Sequence, residues 1–281
     1  ESSKEIEDNI FPFIANKKNF NPETDSVYYS GPYWDDSEII EIIHSVTMGK
    51  WLSSGEKVHK FEREFSKKFN FKHSVMVNSG SSANLVMFAA LKKYFGWKDG
   101  DEILVCACGF ATTVAPIVQC GLKPVFVDID PVTRNIDLNK VAAAITPKTR
   151  AIMPVYLAGL PVDMDQLYTL AKQHNLRVIE DAAQAFGSQW NGKKIGSFGD
   201  LVSFSFQANK NLTTIEGGCL VLNNLDEAKL AEKFRLQGLT RHGMDGMDVD
   251  VLGGKDNLTD VNAVIGLEQR SEEHTSELQS H

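Results

Sequence analysis

Cysteine is scarce in this 281-residue chain, and none of its four copies, Cys106, Cys108, Cys120 and Cys219, forms the CxxC pair of a metal ribbon. Buried free thiols in a reducing compartment are the simplest reading, with Cys106 and Cys108 sent to opposite faces of a predicted strand. His44, His59, His73, His174 and His242 show no metal-ligand spacing, so no metal is expected. Positive charge is not in excess. The formal net charge of −8 gives nucleic acid no basic face and leaves any anionic ligand dependent on local donors. No apolar run is long enough to span a bilayer and no leader pattern stands at the start, so a cytoplasmic protein without membrane contact is expected. Neither GxGxxG nor GxxxxGKS/T occurs, which argues against a dinucleotide fold and a P-loop. Internal repeats and low-complexity linkers are absent too.

What is present is a core and a rhythm. With 42% hydrophobic residues the chain can bury one large domain. Residues 1–33 are polar and weakly periodic, an irregular N-terminal arm. Asp35 or Asp36 can cap a helix carrying Ile39, Ile40, Ile42 and Ile43, and Val58, Phe61 and Phe65 stripe a second one. From His73 onward, strand, turn and helix alternate. Strands are predicted at Ser74–Asn78, Ile103–Cys106, Pro124–Asp128, Ala151–Tyr156, Arg177–Glu180, Leu201–Phe206 and Cys219–Leu222. Helical patterns at Ser82–Tyr94, Asp137–Ala144 and Met164–His174 separate several of them. The strands are nearly continuous apolar runs, as in a sheet covered on both faces. The expectation is an α/β fold of three layers around a mostly parallel, seven-stranded sheet. A helix from Glu227, a Gly/Asp-rich loop over Gly243–Gly254 and a helix capped by Thr259 complete residues 34–269. Residues 270–281 read differently: Arg270–Ser280 is what a common short-read sequencing adapter, read in frame, encodes. A non-native tail is expected there.

Four stretches lie where ligands bind such sheets, at the carboxyl ends of strands. Asn78-Ser79-Gly80-Ser81-Ser82-Ala83 stands between a strand and a long helix. Small residues there bring backbone N–H groups and hydroxyls to a helix N-terminus, which suits a phosphate, although Ser and Gly also cap helices for structural reasons alone. Val178–Gln184 ends an apolar strand in an acid pair, and alternation sends Glu180 and Asp181 to opposite faces. Such a carboxylate could bind a metal, cap a turn or hold a protonated ring nitrogen. Ser203–Asn211 runs from an aromatic strand into a loop carrying Lys210. A lysine there is either a solvated surface residue or, partly desolvated, an amine nucleophile. Glu216-Gly217-Gly218 turns into the last strand.

Together these stretches resemble the DegT/StrS-type sugar aminotransferases, enzymes of the aspartate-aminotransferase fold, over about Tyr33 to Gln269. The resemblance implies a pyridoxal 5′-phosphate large domain, lacking the family's small C-terminal domain, and a homodimer when the protein is full length. It implies that Gly80, Ser81 and Ser205 hold the cofactor phosphate and that Phe110 stacks on the pyridine ring. By the same match Asp181 pairs with the ring nitrogen, Gln184 lies beside the ring hydroxyl, and Lys210 is the catalytic Schiff-base lysine. Lys255 matches a segment reaching the partner subunit's site, and Trp51–Gly55 a loop near the substrate. The implied reaction moves an amino group from an amino acid, glutamate in most of the family, to a keto-deoxy sugar nucleotide for cell-surface polysaccharide (lipopolysaccharide) or secondary-metabolite synthesis.

One departure bears on the reaction. Val77–Leu85 and Phe110–Ile117 look closer to the family's 3-dehydratases of 4-keto-6-deoxy sugar nucleotides, which carry histidine at the position of Lys210. The lysine and the Glu180–Gln184 run favour transamination. Dehydration, or cofactor binding without catalysis, are the alternatives.

Overall fold

The computed structural model describes residues 21–26, 36–242 and 246–269. Most of the N-terminal arm and the whole of residues 270–281 lie outside them. In chain order the elements are α1 (Asp36–Met48), α2 (Glu56–Phe69), β1 (His73–Val77), α3 (Gly80–Phe95), β2 (Glu102–Cys106), α4 (Ala111–Gln119), β3 (Lys123–Val127), α5 (Leu138–Ala144), β4 (Thr149–Met153), α6 (Met164–Gln173) and β5 (Arg177–Asp181). There follow β6 (Gln189–Trp190), β7 (Lys193–Lys194), β8 (Leu201–Ser205), β9 (Gly218–Leu222), α7 (Leu225–Arg235), β10 (Leu239–His242), β11 (Gly246–Val249) and α8 (Asp260–Gln269).

Seven strands form one sheet in the order β1-β9-β8-β5-β4-β2-β3. The pairs from β8 through β5, β4 and β2 to β3 are parallel; β9 runs against both β8 and β1. All seven predicted strands are present, each within a few residues of its expected bounds. Side-chain alternation divides the core in two. Met76, Leu104, Ile152, Val178 and Phe204 face Phe61 and Phe65 of α2, Leu167 of α6 and Leu267 of α8. Val75, Ile103, Val105, Met153, Ile179 and Leu220 face Val86 and Leu91 of α3, Ile117 of α4 and Ala231 of α7. This is the expected three-layer α/β arrangement.

The helix starts follow from local chemistry. Ser79 caps α3 by accepting from Ser82 N at 3.0 Å, and α3 stops at Gly96, whose φ of +64° is a left-handed cap. Asp137, Asp163 and Asn224 cap α5, α6 and α7, and Thr259 Oγ1 accepts from Asn262 N as expected. The residue before α2 is Gly55, which has no side chain to offer. Its role passes to Asp260 of α8, whose carboxylate accepts from Gly55 N (2.8 Å), Val58 N (3.1 Å) and Lys57 N (3.2 Å).

Two expectations need correction. Cys108 lies beyond the end of β2, in an exposed loop, so only Cys106 and Cys219 are fully buried thiols. The 243–254 stretch is not all loop. Four residues of it, Gly246–Val249, form β11, which pairs antiparallel with β10. Glycine and aspartate content hid the alternation of Met247 and Val249.

Candidate active site

The register of the sheet assembles the site. Val77, the last residue of β1, pairs with Gly218, and Gly218 pairs with Ser205, the last residue of β8. Asp181, the last residue of β5, pairs with Ser203. The chain leaves β1 through Ser79 into α3, and leaves β8 toward Lys210. All these positions therefore sit at one end of the sheet, the carboxyl end of its parallel strands, where the first turns of α3 and α4 also point.

Packing there is tight enough to exclude side chains. A Cβ on Gly80 would come within 2.7 Å of Ser205 Cβ, and one on Gly218 within 2.5 Å of the Ser79 carbonyl and 2.6 Å of Gly80 N. Gly80, Ser81 and Ser205 are thus brought together as expected. The hydroxyls sort themselves. Ser79 caps α3, Ser82 Oγ donates to Asp256 Oδ1 (3.0 Å), and Ser81 Oγ bonds Thr112 Oγ1 of α4 (2.8 Å). Ser205 Oγ has no hydrogen bond to any described residue, which leaves it available as a donor. With the open N–H groups of a 16-residue helix, the arrangement offers donors to an anion.

A Gly218→Ala variant is therefore expected to push the backbone of Ser79–Gly80 aside. Backbone cannot swing away as a flexible side chain can, so a stability loss of about 1–3 kcal/mol is expected, together with weakened phosphate binding. Urea denaturation and inorganic-phosphate titration check it; wild-type values in both would show that the cradle tolerates the methyl group.

Asp181 is 5% exposed. Its Oδ2 accepts from Thr113 Oγ1 (2.7 Å) and Asn84 Nδ2 (3.3 Å), and its Oδ1 from Ala183 N (3.2 Å). Sequence reasoning missed Asn84 and Thr113. The available signal was helical spacing, since Asn84 lies four residues after Gly80 on the same face of α3 and Thr113 stands in the first turn of α4. Both belong to the stretches that resemble dehydratases. Phe110 stands at the N-cap of α4 and is 73% exposed, an aromatic face open at the mouth of the site. Gln184 is held on its loop by Ala158 N, which donates to its Oε1 at 2.7 Å. Lys210 is half-buried in the turn after β8, and its ammonium makes no hydrogen bond or ion pair with a described residue, Asp181 included. Lys255 is engaged with Asn257 Oδ1.

Glu180 faces away from this cleft, as alternation requires. It is fully buried: the Tyr168 hydroxyl donates to its Oε1, while Oε2 has no partner among the described residues. Burial pushes its carboxyl up to about 8, the nearby hydroxyls of Tyr168 and Tyr156 opposing the rise. The folded protein then keeps a proton that the unfolded chain releases near the ordinary carboxylate value. Stability should fall as pH rises from about 4.5 to about 8 and level off above. Glu180→Gln is expected to flatten that slope and to raise the denaturation midpoint most at the alkaline end. An unchanged slope in the variant would assign the pH dependence elsewhere.

Among the described residues no helix is long and apolar enough to cross a membrane. Residues 34–274 match the model of the DegT/DnrJ/EryC1/StrS aminotransferase family. The spore coat polysaccharide biosynthesis protein SpsC of Bacillus subtilis is 41% identical over 254 residues, 86% of this chain and 63% of that protein. GDP-4-keto-6-deoxy-D-mannose 3-dehydratase of Yersinia pseudotuberculosis is 38% identical over 211 residues, 74% of this chain and 53% of the enzyme. Among solved structures, Helicobacter pylori PseC, an aminotransferase involved in the biosynthesis of pseudoaminic acid, superposes with a TM-score of 0.82 at 28% identity, covering 87% of this chain and 65% of its own. The chain thus spans less than two thirds of the length of these relatives.

Proposed function

Because the chain belongs to the DegT/DnrJ/EryC1/StrS aminotransferase family, we propose that it forms the cofactor-bearing domain of a pyridoxal-phosphate enzyme that aminates a keto-deoxy sugar nucleotide, with glutamate as the amino donor. The observation that carries this reading is the presence at one sheet end of a buried, triply hydrogen-bonded carboxylate, Asp181, and of an uncommitted amine, Lys210, in the turn after β8. The phosphate cradle of Gly80, Ser81 and Ser205 and the open face of Phe110 fit the same guest.

When bound, pyridoxal phosphate supplies an electron sink for a carbanion at an amino acid's α-carbon. The chain's residues do the rest. Gly80, Ser81 and Ser205 would anchor the phosphate through N–H and hydroxyl donors. Phe110, exposed at the start of α4, would cover one face of the ring and keep water from it. Gln184, with its amide oxygen held by Ala158 N, has its nitrogen free to donate beside the ring hydroxyl. Asp181 would favour a proton on the ring nitrogen, which an acceptor-only carboxylate in a buried site can do. Lys210 Nζ would be the amine that holds the cofactor's aldehyde and, when free, the base that would move a proton at the substrate α-carbon.

The SpsC relative supports cell-surface polysaccharide as the destination of the product. A homodimer in the cytoplasm fits the family resemblance. Dehydration at C3 is the second reading, favoured by the Val77–Leu85 and Phe110–Ile117 stretches and by the Yersinia relative. Lys210 weighs against it. The deciding experiment incubates the full-length protein with cofactor, glutamate and a 4-keto-6-deoxy sugar nucleotide, and reads the product mass. An amino sugar is expected. A deoxygenated ketone would establish the second reading, and no conversion of the cofactor by any amino donor would sink transamination.

A further inference from the structure

The surroundings of Asp181 carry more information than its identity. Three groups reach its carboxylate, and all three are donors: a hydroxyl, an amide and a backbone N–H. No cation is among them. Two arrive from different helices. Thr113, 1% exposed, comes from the first turn of α4, and Asn84, 3% exposed, from the second turn of α3. Asn84 Nδ2 also donates to Thr112 O at 3.2 Å, so a single amide ties the carboxylate to the helix turn that carries Phe110, Thr112 and Thr113.

Packing does not explain Asn84. Its Oδ1 is buried and has no partner among the described residues. An orphaned buried acceptor costs about 1–3 kcal/mol, so an apolar side chain of similar size would stabilise this helix better. The residue makes sense for what its nitrogen does. A lone-pair count shows the effect. Asp181 Oδ2 accepts two hydrogen bonds and is filled; Oδ1 accepts one, from Ala183 N, and keeps room for one further donor. Thr113 and Asn84 together leave only one place on the carboxylate where a new N–H can bind.

We propose that Thr113 and Asn84 are positioning residues that fix the rotation of the Asp181 carboxylate and reserve Oδ1 for the ring N–H of the cofactor. The role rests on the pyridoxal-phosphate reading given above. It reaches the cofactor only through Asp181, since neither side chain needs to touch it.

The test uses the full-length protein with pyridoxal phosphate as probe, and the variants Thr113→Val, Thr113→Ser and Asn84→Leu. Each keeps roughly the native volume or the native hydroxyl. Cofactor affinity, the visible absorbance band of the bound cofactor with its pH midpoint, and the melting temperature of the cofactor-free protein are read in parallel. Thr113→Val is expected to weaken affinity about tenfold, the loss of one hydrogen bond to a charged group, and to displace the pH midpoint of the band. Thr113→Ser restores both. Asn84→Leu produces the same spectral change without lowering the melting temperature. If Thr113→Val does not fold, Asn84→Leu and Thr113→Ser decide the question by the same readouts. Wild-type affinity and an unmoved band in the valine and leucine variants, or a change in melting temperature alone, would overturn the positioning role. A wild-type protein that takes up no cofactor would overturn the reading beneath it, and the positioning role with it.

Discussion

Replacing Lys210 by alanine is expected to lower turnover by about 10³-fold or more and to abolish the visible band of the bound cofactor, with little change in stability. On the proposed function, the variant removes both the amine that holds the aldehyde and the group that moves the proton; positioned proton transfer alone contributes about 10²–10⁴-fold. The small stability effect follows from geometry. The Lys210 ammonium bonds no described residue, so its removal breaks no buried network and should change stability by about 0.5 kcal/mol or less. Arginine at this position keeps the charge, but a guanidinium does not give up its proton near neutrality and cannot act as the amine. Lys210→Arg should therefore be as inactive as Lys210→Ala. Single-turnover kinetics with glutamate, absorbance and circular dichroism separate these effects. Substantial turnover in either variant would remove Lys210 from the mechanism.

The second large effect is structural. Replacing Arg235 by methionine is expected to cost about 3–5 kcal/mol, the usual penalty for leaving one partner of a buried ion pair behind. Arg235, at the end of α7, donates to Glu62 Oε1 of α2 and to Met76 O of β1 (2.8 Å), and Met76 N donates to the same glutamate at 2.9 Å. β1 is one of the two edge strands, α2 and α7 lie on opposite faces, and the pair closes around that edge. It satisfies the N–H and C=O that an edge strand would otherwise present to another chain. Burial pushes the Glu62 carboxyl up, but the hydrogen bond from His59 and the charge of Arg235 outweigh burial and hold it below its usual value. Its contribution is thus complete above about pH 4.5 and is lost as pH falls through the lower folded value, opposite in sign to that of Glu180. Chemical denaturation of Arg235→Met and of the Glu62→Gln, Arg235→Met double variant measures the pair. The double variant should recover part of the loss, because no bare charge remains. A loss below about 1 kcal/mol in the single variant would mean that water reaches Glu62.

The strands were legible because apolar runs such as Ile103–Cys106 and Leu201–Phe206 have one physical interpretation once helices alternate with them. The direction of β9 was not legible. Cys219–Leu222 looks the same run either way, and only pairing with both β1 and β8 reveals its reversal. The β6–β7 and β10–β11 hairpins escaped notice because Gln189–Trp190 and Lys193–Lys194 are too short for periodicity, and the second hairpin lies in glycine- and aspartate-rich sequence. In the site, motif residues could be named because they lie in short stretches following strand ends whose pattern resembles a known family. Thr113 and Asn84 could not, because what distinguishes them is a carboxylate 68 and 97 positions away in the chain. Asp260 escaped for the same reason: a cap supplied from another helix leaves no mark beside Gly55.

That borrowed cap has a consequence for biosynthesis. The start of α2 is completed by a carboxylate 205 residues downstream of Gly55, and α8 is also the helix against which α1 and α2 lie. At roughly 5–20 residues per second on a ribosome, Gly55 waits about 10–40 s for the carboxylate that completes this cap. The earliest-made of the described helices, α1 and α2, are therefore among the last to find all of their permanent neighbours, and until α8 is made a chaperone has a natural place to bind.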